Sequence, residues 1–468
     1  MFIRKGMGVF IVCFAAVLLS SCGGGSPSST SSPAPSSQAS VFTIGTDAPL
    51  ASVVSCQIMV TGITIFNGTT NVSVLSQPQV IDFAQFNGLH QLVDLSSVPT
   101  GTYTSATVTI ASPVIGYINV NPPPHPPTAS TINGTLSESS VTVNFAQPFV
   151  LQSSDLAGLR MEFDLRQSIQ TDTNGQVTGA INPVFEMQLL NSTAAGVSID
   201  DFHAGVVGVT GGNTFTVQGP HGRQWQVSTD SNTIFDDPDL PISSFTTNTI
   251  VSLTGTLDPV THAIDASEVE VISNDKFYLG GLLTYVNPAS PQPATQADIY
   301  VREELPAIPG ISDGQIESLS LNGSEIYRIG HIDLPLTTLL FNNTLMAPGQ
   351  RVDIGGPLTT SNGTDTLTVH RVILRRQGQA GSWVPGSTAV QSGNMGSFQL
   401  NDVWTAGILL PSPLTVLTTN DTNFINLSGL GALTGAGPIQ IRVVGFTLIN
   451  QGTGQPVMVA RSVEQLGS

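Results

Sequence analysis

An alternation of apolar and polar residues within Tyr103–Ile110 places the strongest limit on the fold of this chain. Ala106, Val108 and Ile110 can face a core, while the serine and threonines between them face water. A period of two residues is the pattern of a half-buried β-strand. Short runs rich in Val, Ile, Thr and Phe recur along the chain between turn-forming residues, and these residue types favour strands. We therefore expect an all-β fold, in which the even-numbered positions of this segment face the core.

Charge is scarce in this chain and mostly negative. Of the 468 residues 10% are charged, with 14 Lys and Arg against 32 Asp and Glu. Removal of Arg4 and Lys5 with the N-terminal segment described below leaves 12 basic residues, a net charge of −20 and Lys276 as the one lysine. Such a balance repels phosphate backbones and anionic lipid headgroups. We expect no nucleic-acid partner.

Residues 1–22 have the three parts of an export signal: two basic residues, an apolar run over Val9–Leu19, and small residues up to Cys22. The apolar run is about half of the roughly 20 residues that a membrane-spanning helix needs. Leu19-Ser20-Ser21-Cys22 resembles the bacterial lipobox. This resemblance implies cleavage between Ser21 and Cys22 and lipidation of Cys22, which makes the membrane a partner through the lipid. A secretory signal that ends by chance in a cysteine is the alternative.

Residues 23–40 contain almost only Gly, Ser, Pro, Thr and Ala, a composition that predicts a disordered, flexible tether. Gly23 follows the lipidated cysteine, and similarity to known lipoproteins then implies sorting to the outer membrane. We expect a protein anchored by lipid in the bacterial cell envelope, on either its periplasmic or its outer face. In the mature chain Cys56 is the one cysteine, so no internal disulfide can form, and its apolar neighbours predict a buried free thiol.

The first domain is predicted over residues 41–192, as strands with helical turns at 83–95 and 153–159. Three groups of residues in it resemble an uncharacterised domain family of bacterial lipoproteins: Thr46-Asp47-Ala48-Pro49, Val98–Tyr103, and Phe163-Asp164-Leu165 followed by Asn182–Phe185. The Pro-x-Gly-x-Tyr element also resembles that of carboxypeptidase-regulatory or transthyretin-like domains. The resemblance implies a β-sandwich without catalytic residues. Pro99 and Gly101, the latter at positive φ, are predicted to form a structural turn that directs Tyr103 inward.

After residue 192 the sequence predicts three small β-barrel repeats of the OB type, at 203–273, 276–376 and 389–468. Each has a threonine shortly before a phenylalanine and then a strand that ends in glycine, Gly255, Gly356 or Gly445. A glycine is expected where a barrel strand bends sharply. The first repeat also resembles an OB-like bacterial domain of unknown function, in Gly205–Val209 and Ala266–Val271.

No short catalytic or cofactor motif was found in the sequence: no nucleophile elbow, no metalloprotease helix, no Cys-x-x-Cys pair and no phosphate-binding glycine loop. His203 beside Asp200 and Asp201 is the nearest group to a metal cluster, but its position between two domains favours a linker turn. The three arginines of 371–376 are interpreted as a solvated strand face. Trp225, Trp383 and Trp404 are candidates for sugar contacts, although core positions are more usual for so few tryptophans.

Calcium is the one cofactor considered. Asp236, Asp237 and Asp239 supply three carboxylates in four residues, and the turn at 172–175 offers further oxygens. Calcium takes 6–8 oxygen ligands, and neither stretch has the twelve-residue loop of a calcium-binding hand. Acidic turns are common, so the prediction is no metal and no cofactor.

The sequence thus predicts a non-enzymatic, lipid-anchored envelope protein with a structural, adhesive or ligand-binding role, its glycan or protein partner unknown. The alternative is a carbohydrate- or small-ligand-binding lipoprotein whose site lies between modules, with Trp225 or Trp404 as a platform. An enzyme with paired carboxylates on a β scaffold is the third hypothesis, since such sites need no short motif.

Overall fold

The structure is a computed structural model, and it describes residues 38–48, 53–86, 91–119, 128–153, 155–172, 177–190, 197–219, 222, 224–236, 241–257, 263–330, 339–361, 364–401, 403–405, 408–409, 413–434 and 439–466. Nearly all regular structure in this part of the chain is strand, with two one-turn α-helices. The all-β prediction is confirmed. Within the described ranges no helix is long and apolar enough to cross a membrane. The predicted signal and lipidation site, including Ser21 and Cys22, lie outside the described residues.

The first module is a sandwich of two main sheets around one apolar core. One sheet has the order β13-β10-β1-β5, and the other has β3-β2-β6-β7, with β4 on β2 and β9 on β6. Its elements are β1 (Gln38–Ala48), β2 (Ser55–Phe66), β3 (Asn71–Ser73), β4 (Gln79–Asp82), α1 (Phe83–Phe86), β5 (Gln91–Pro99), β6 (Gly101–Asn119), β7 (Thr128–Asn133), β8 (Thr135–Leu136), β9 (Ser140–Leu151), β10 (Leu156–Asp164), α2 (Leu165–Ser168), β11 (Ile169–Thr171), β12 (Val177–Ile181) and β13 (Phe185–Leu190). β11, β12 and β8 form a small third sheet.

The second module is a closed barrel. Its strands are β14 (Val197–Gly211), β15 (Thr214–Gln218), β16 (Gln224–Ser228), β17 (Ile234–Phe235), β18 (Ile250–Leu257) and β19 (Ile264–Ser273). They follow the order β16-β15-β14-β18-β19-β17, and a parallel pairing of β16 with β19 closes the sheet.

Two further modules repeat this strand order. The third module has β20 (Phe277–Asn287), β21 (Gln296–Leu305), β22 (Ile316–Ser320), β23 (Ile326–Ile329), β24 (Arg351–Gly356), β25 (Leu358–Ser361), β26 (Thr364–Leu367) and β27 (Arg371–Leu374). The fourth has β28 (Gln377–Trp383), β29 (Ala389–Ser392), β30 (Met395–Asn401), β31 (Trp404–Thr405), β32 (Ile408–Leu409), β33 (Leu414–Thr418), β34 (Asn423–Ile425), β35 (Gln440–Ile449) and β36 (Pro456–Gln465). We call the second, third and fourth modules barrels 1, 2 and 3. In barrel 3 the parallel pair β33–β36 closes the sheet, whereas no such pairing joins β22 to β27 in the described part of barrel 2.

Several predicted boundaries need correction. Gln38–Ser40 belong to β1, so the structured body begins inside the predicted tether of residues 23–40; Ala39 is buried in the sandwich core. Barrel 1 begins at β14, before residue 203. Barrel 3 begins at β28 and not at 389. The predicted helical turn at 153–159 is wrong, because most of that segment forms the start of β10.

The threonine and glycine of the predicted repeats have one shared structural role in barrels 1 and 3. In barrel 3 the hydroxyl of Thr422 accepts from the Thr419 amide at 2.8 Å and donates to the Ala460 carbonyl at 2.9 Å. Ala460 pairs with Gly445 at a register shift in the sheet. A Cβ on Gly445 would lie 2.0 Å from the Val459 carbonyl oxygen, so only glycine permits this approach of β35 and β36.

Barrel 1 has the same arrangement. Thr233 accepts from the Asp230 amide at 2.9 Å and donates to the Ala266 carbonyl at 2.7 Å, and Ala266 pairs with Gly255. In barrel 2 the residue before the equivalent strand β23 is Glu325, which accepts from the amide three residues earlier. The threonine–phenylalanine step near residue 341 therefore does not occupy this position in barrel 2.

The four modules share apolar contacts. Phe42 and Leu156 of the sandwich belong to the core of barrel 1, and Val54 and Ile118 pack with Leu282 and Tyr300 of barrel 2. The hairpin of β35 and β36 extends out of barrel 3, and its far end lies in the core of barrel 2, through Phe446, Leu448, Val457 and Val459. Continuous burial of this kind makes the described residues between 38 and 466 one body rather than a row of independent domains.

Candidate ligand-binding cleft

A cleft of about 1210 Å³ lies where the sandwich, barrel 1 and barrel 2 meet. Strands β2 and β4 and the loop before β4 form the sandwich wall. The middle of β14, the β15–β16 connection and Ile250 form the wall from barrel 1. Lys276, the end of β21 and the loop after it form the wall from barrel 2. Ligand pockets are usually about 300–1,000 Å³, so this space is large enough for an extended small molecule.

One side of the cleft is apolar and accessible. Met59 and Val80 pair directly across β2 and β4 and are 37% and 46% exposed. Leu305, Pro306 and Ala307 continue the apolar lining from barrel 2. Pairs of exposed aliphatic side chains on one face supply area that a ligand can cover.

Five carboxyl groups line the cleft, and two of them, Asp82 and Asp94, accept hydrogen bonds from the sandwich. Asp82 accepts from the Ser55 hydroxyl at 2.6 Å and from the Cys56 amide at 2.7 Å, and Asp94 accepts from the Leu95 amide at 2.8 Å. Burial raises the pKa of Asp82, and these hydrogen bonds oppose the shift. Asp82 thus ties β4 to β2, and Asp94 also accepts from the Ser76 amide in the loop before β4.

Glu304 and Asp313 form a carboxyl pair at the barrel 2 rim. Asp313 lies in the exposed loop after β21, and its carboxyl neighbours that of Glu304. Partial burial raises the pKa of Asp313, and the adjacent Glu304 raises it further, because two neighbouring carboxylates cannot both ionise without cost. The pKa of Asp313 is thereby raised to about 9, which favours its protonated form at neutral pH.

Glu303 connects the cleft to a buried ionic cluster. Its carboxylate binds His203 Nδ1 at 2.8 Å and accepts from the Tyr278 hydroxyl at 3.0 Å. Burial alone would lower the pKa of His203, but the charges of Asp353 and Glu303 raise it to about 10. Burial would raise the pKa of Glu303, and the positive His203 lowers it instead. The imidazolium thus holds Glu303 ionised and in place.

Arg375 is the centre of this cluster and has no exposed side-chain surface. Its guanidinium contacts Asp201 and Glu270 of barrel 1, and its Nε lies 2.9 Å from Asp353 Oδ2 of barrel 2. Burial lowers its pKa to about 9, which leaves it charged at neutral pH. Arg351 adds a second contact to Asp201 at 3.0 Å. The cluster therefore joins barrels 1 and 2 through charges that neutralise each other.

Asp201, His203 and Asp353 offer three ligand atoms within 4.8 Å of one another, a spacing that a metal ion can use. The charge state argues against this function. Arg375 already contacts both carboxylates, and each nitrogen of the protonated His203 ring has a carboxylate within 3.3 Å. A metal would have to displace the Arg375 guanidinium and the Nε2 proton of His203. We assign the group as a structural ion network.

The structure relocates several residues that the sequence singled out. His203 and Asp201 lie in β14, where Asp201 has φ of 57° at a shift in strand register, so the predicted linker turn is wrong. Arg375 is buried, and the predicted solvated face is wrong for it. Cys56 is fully buried in the sandwich core.

The metal candidates do not form a described cluster. Asp236 faces the carboxyl of Glu270, whose pKa is raised first by burial and then by Asp236. Asp237 and Asp239 lie outside the described residues. Among the tryptophans, Trp225 lines the cleft but is 8% exposed, Trp383 is buried in barrel 3, and the side chain of Trp404 is outside the described part.

The sequence also missed residues that build this site. Glu303 and Glu304 lie at the end of β21 and Asp313 lies in the loop after it, in a stretch that has no motif. Arg375 and Asp201 are 174 residues apart in the sequence, and strand periodicity cannot predict a contact between such distant residues.

Comparison with known proteins gives a match in one module only. The model of a domain of unknown function (DUF4382) matches residues 39–178, which lie within the sandwich. No curated protein and no solved structure matches the chain. The predicted resemblance of the N-terminal part to an uncharacterised domain family is therefore confirmed, and the match includes the sandwich wall of the cleft.

Proposed function

We propose that this protein is a lipid-anchored protein of the bacterial cell envelope that binds a small ligand, without catalysis, in the cleft between the sandwich, barrel 1 and barrel 2. The cleft itself carries the proposal. Its walls come from three modules that buried apolar and ionic contacts hold together, so little ordering is needed when a ligand enters. A preformed cavity of this size is the usual geometry of a small-molecule site.

Anchoring rests on the N-terminal sequence. The lipobox-like segment ending at Cys22 and the tether that follows support attachment to the outer membrane, with the folded body held away from the lipid. Changing Cys22 to Ser should move the protein from the membrane fraction to the soluble fraction. Mass spectrometry of the mature N-terminus checks the lipid, and an unmodified Cys22 in a soluble protein would contradict the proposal.

Surface exposure separates two versions of this function. Protease treatment of intact cells should degrade the protein if the tether projects outward and leave it intact if the body lies in the periplasm. The same treatment of lysed cells is the control for intrinsic protease sensitivity.

We also propose that barrels 1, 2 and 3 are copies of one module. Their common strand order and the matching threonine–glycine contacts of barrels 1 and 3 support this. On this view the cleft formed where the first two copies joined the sandwich, and the third copy completes barrel 2.

Ligand binding is tested by thermal unfolding of the full mature chain, made soluble by Cys22→Ser, against a library of amines, sugars and short peptides. A ligand at 100 times its Kd adds about 2.7 kcal/mol to the free energy of unfolding, which shifts the transition measurably. Ala307→Trp fills the cleft and should abolish the shift. Ala389→Trp, at an exposed alanine of β29, should preserve it. Shifts that persist in Ala307→Trp would place binding elsewhere.

A further inference from the structure

The carbohydrate alternative depends on an aromatic face open to the ligand. Sugar rings stack on such faces, but Phe202 and Trp225 are 7% and 8% exposed and pack edge-to-face against each other, with ring centres 6.4 Å apart. They form the base of the cleft and offer no open ring face. Accessible apolar area comes instead from aliphatic side chains, Met59 and Val80 first among them.

The charged residues around the cleft determine whether it favours a positively or a negatively charged ligand. Asp82, Asp94, Glu303, Glu304 and Asp313 face the space, against two cationic residues. Of those two, Arg302 lowers the pKa of Asp82 by its charge, and the ammonium group of Lys276 lies 5.8 Å from the centre of the Phe277 ring. Carboxyl groups therefore outnumber cations in the lining even with Glu303 paired to His203, and the acidic protein as a whole attracts cations and repels anions.

The pair of Glu304 and Asp313 supplies the contact point. The neighbouring Glu304 raises the pKa of Asp313, so a positive charge between the two groups would relieve their repulsion. A ligand cation placed there would form charge-assisted hydrogen bonds with both carboxyl groups. The apolar side of the cleft would then cover the rest of the ligand.

We infer that the cleft binds cationic amphiphiles, molecules in which a primary amine or guanidinium is attached to an apolar chain, with the cation between Glu304 and Asp313 and the chain against Met59 and Val80. This rests on the proposed function, since it names the ligand class of the same cleft. Charge complementarity and the exposed aliphatic pair support it together.

The test compares three probes with the same six-carbon chain: hexylamine, hexanol and hexanoate. Calorimetric titration of the full mature Cys22→Ser chain should give hexylamine at least tenfold tighter than hexanol, and no binding of hexanoate. Asp313→Asn should weaken hexylamine about fivefold, the scale of one partly exposed ion pair, and leave hexanol unchanged. Asp421→Asn, at an exposed aspartate of barrel 3, is the matched control.

Proton release provides a second measurement. Glu303, Glu304, Asp82 and Arg302 are the charged groups that line the cleft with Asp313, and cation binding should expel the proton of Asp313. Hexylamine affinity should therefore rise between pH 6 and pH 8 in the parent chain and stay flat in Asp313→Asn. A flat profile in both chains would overturn the inference.

The remaining outcomes separate the two proposals. Equal affinity for hexylamine and hexanol, or preference for hexanoate, overturns the cationic class while the cleft remains a binding site. Binding of sugars from the library with no binding of hexylamine overturns it in the same way. If no library member and none of the three probes binds, the proposed function fails with it. If the Asp313→Asn variant does not fold, Glu304→Gln removes the other carboxylate of the pair and serves for the same test.

Discussion

The glycines at the strand bends of barrels 1 and 3 are required because the partner strand leaves no room for a Cβ, and not because of their backbone angles. Neither Gly255 nor Gly445 has positive φ. Each lies where a carbonyl of the partner strand passes too close for any Cβ, and the nearby threonine hydroxyl binds that same strand. The glycine and the threonine thus fix one register together.

Gly445→Ala should lower the free energy of unfolding by about 1–3 kcal/mol, the usual cost of forcing extra atoms into a packed interior. The new Cβ would lie 2.0 Å from the Val459 carbonyl oxygen, and the two strands would have to separate. Urea denaturation measures the change. Gly431→Ala is the control in the same barrel, because nothing lies within 4 Å of its Cβ position. Equal stability of both variants would contradict the close approach.

At the scale of elements, Tyr103 shows how a bulge changes the pattern read from sequence. The register of β6 against β9 shifts between Tyr103 and Ser105. Tyr103 and Ser105 are both buried and Thr104 between them is exposed, whereas Ala106, Val108 and Ile110 are buried as the alternation predicts. The bulge reverses the parity of the strand at its beginning. An extra residue in one strand has no signature in a two-residue period.

The corner between β5 and β6 is tied by Tyr103 itself. Its hydroxyl donates to the Pro99 carbonyl at 2.8 Å, and the ring is buried in the sandwich core. Gly101 lies at the start of β6 without positive φ, which corrects the predicted reason for that glycine. The chain passes from one sheet to the other at this corner.

Tyr103→Phe should lower the free energy of unfolding by about 0.5–1.5 kcal/mol, the net value of one hydrogen bond, because the ring remains and only the link to Pro99 is lost. Tyr117→Phe, in the same strand, should change stability less. Both are measured by urea denaturation. A larger loss of stability in Tyr117→Phe would contradict a stabilising role for the hydrogen bond between Tyr103 and Pro99.

Strand prediction succeeded where side chains alternate and failed where they do not. β6 is evident from its sequence because apolar and hydroxyl residues alternate. β28 was missed because Gln377–Trp383 is mostly Gln, Gly, Ala and Ser, and its burial arises from β30 and β35 on either side. The cleft could not be predicted from strand patterns either, because its lining comes from three modules that meet only in the folded protein.

At the scale of the whole molecule, the buried ionic cluster links barrels 1 and 2. Arg375→Met should destabilise the protein by about 3–5 kcal/mol, because Asp201, Glu270 and Asp353 would lose their shared cation inside the protein. Arg461→Met, at an exposed arginine of β36, should have little effect. Thermal and chemical unfolding measure both. A stability of Arg375→Met close to that of the parent would show that the carboxyl groups neutralise themselves by protonation.

His203 predicts the pH dependence of stability. Its pKa is about 10 in the folded protein against roughly 6.5 in an unfolded chain. The folded state therefore holds an extra proton between these values, and its stabilising effect is complete below pH 6.5 and lost as pH rises toward 10. The raised pKa of Glu270 acts in the same direction.

Urea denaturation from pH 6.5 to pH 8.5 should show the free energy of unfolding falling by about 1.4 kcal/mol per pH unit from His203. His203→Gln should have a shallower slope over the same range. Stability that rises with pH in the parent chain would mean that His203 is neutral when folded.

The hairpin of β35 and β36 has a consequence for the order in which the chain can fold during synthesis. Barrel 2 ends at Leu374, yet part of its core, from Phe446 to Val459, is made more than 70 residues later. Until that hairpin has been synthesised, the core of barrel 2 is incomplete and part of its apolar surface stays exposed. Barrel 2 can therefore complete its folding only after the C-terminal hairpin is available. A truncation before residue 446 should therefore disrupt barrel 2 as well as barrel 3.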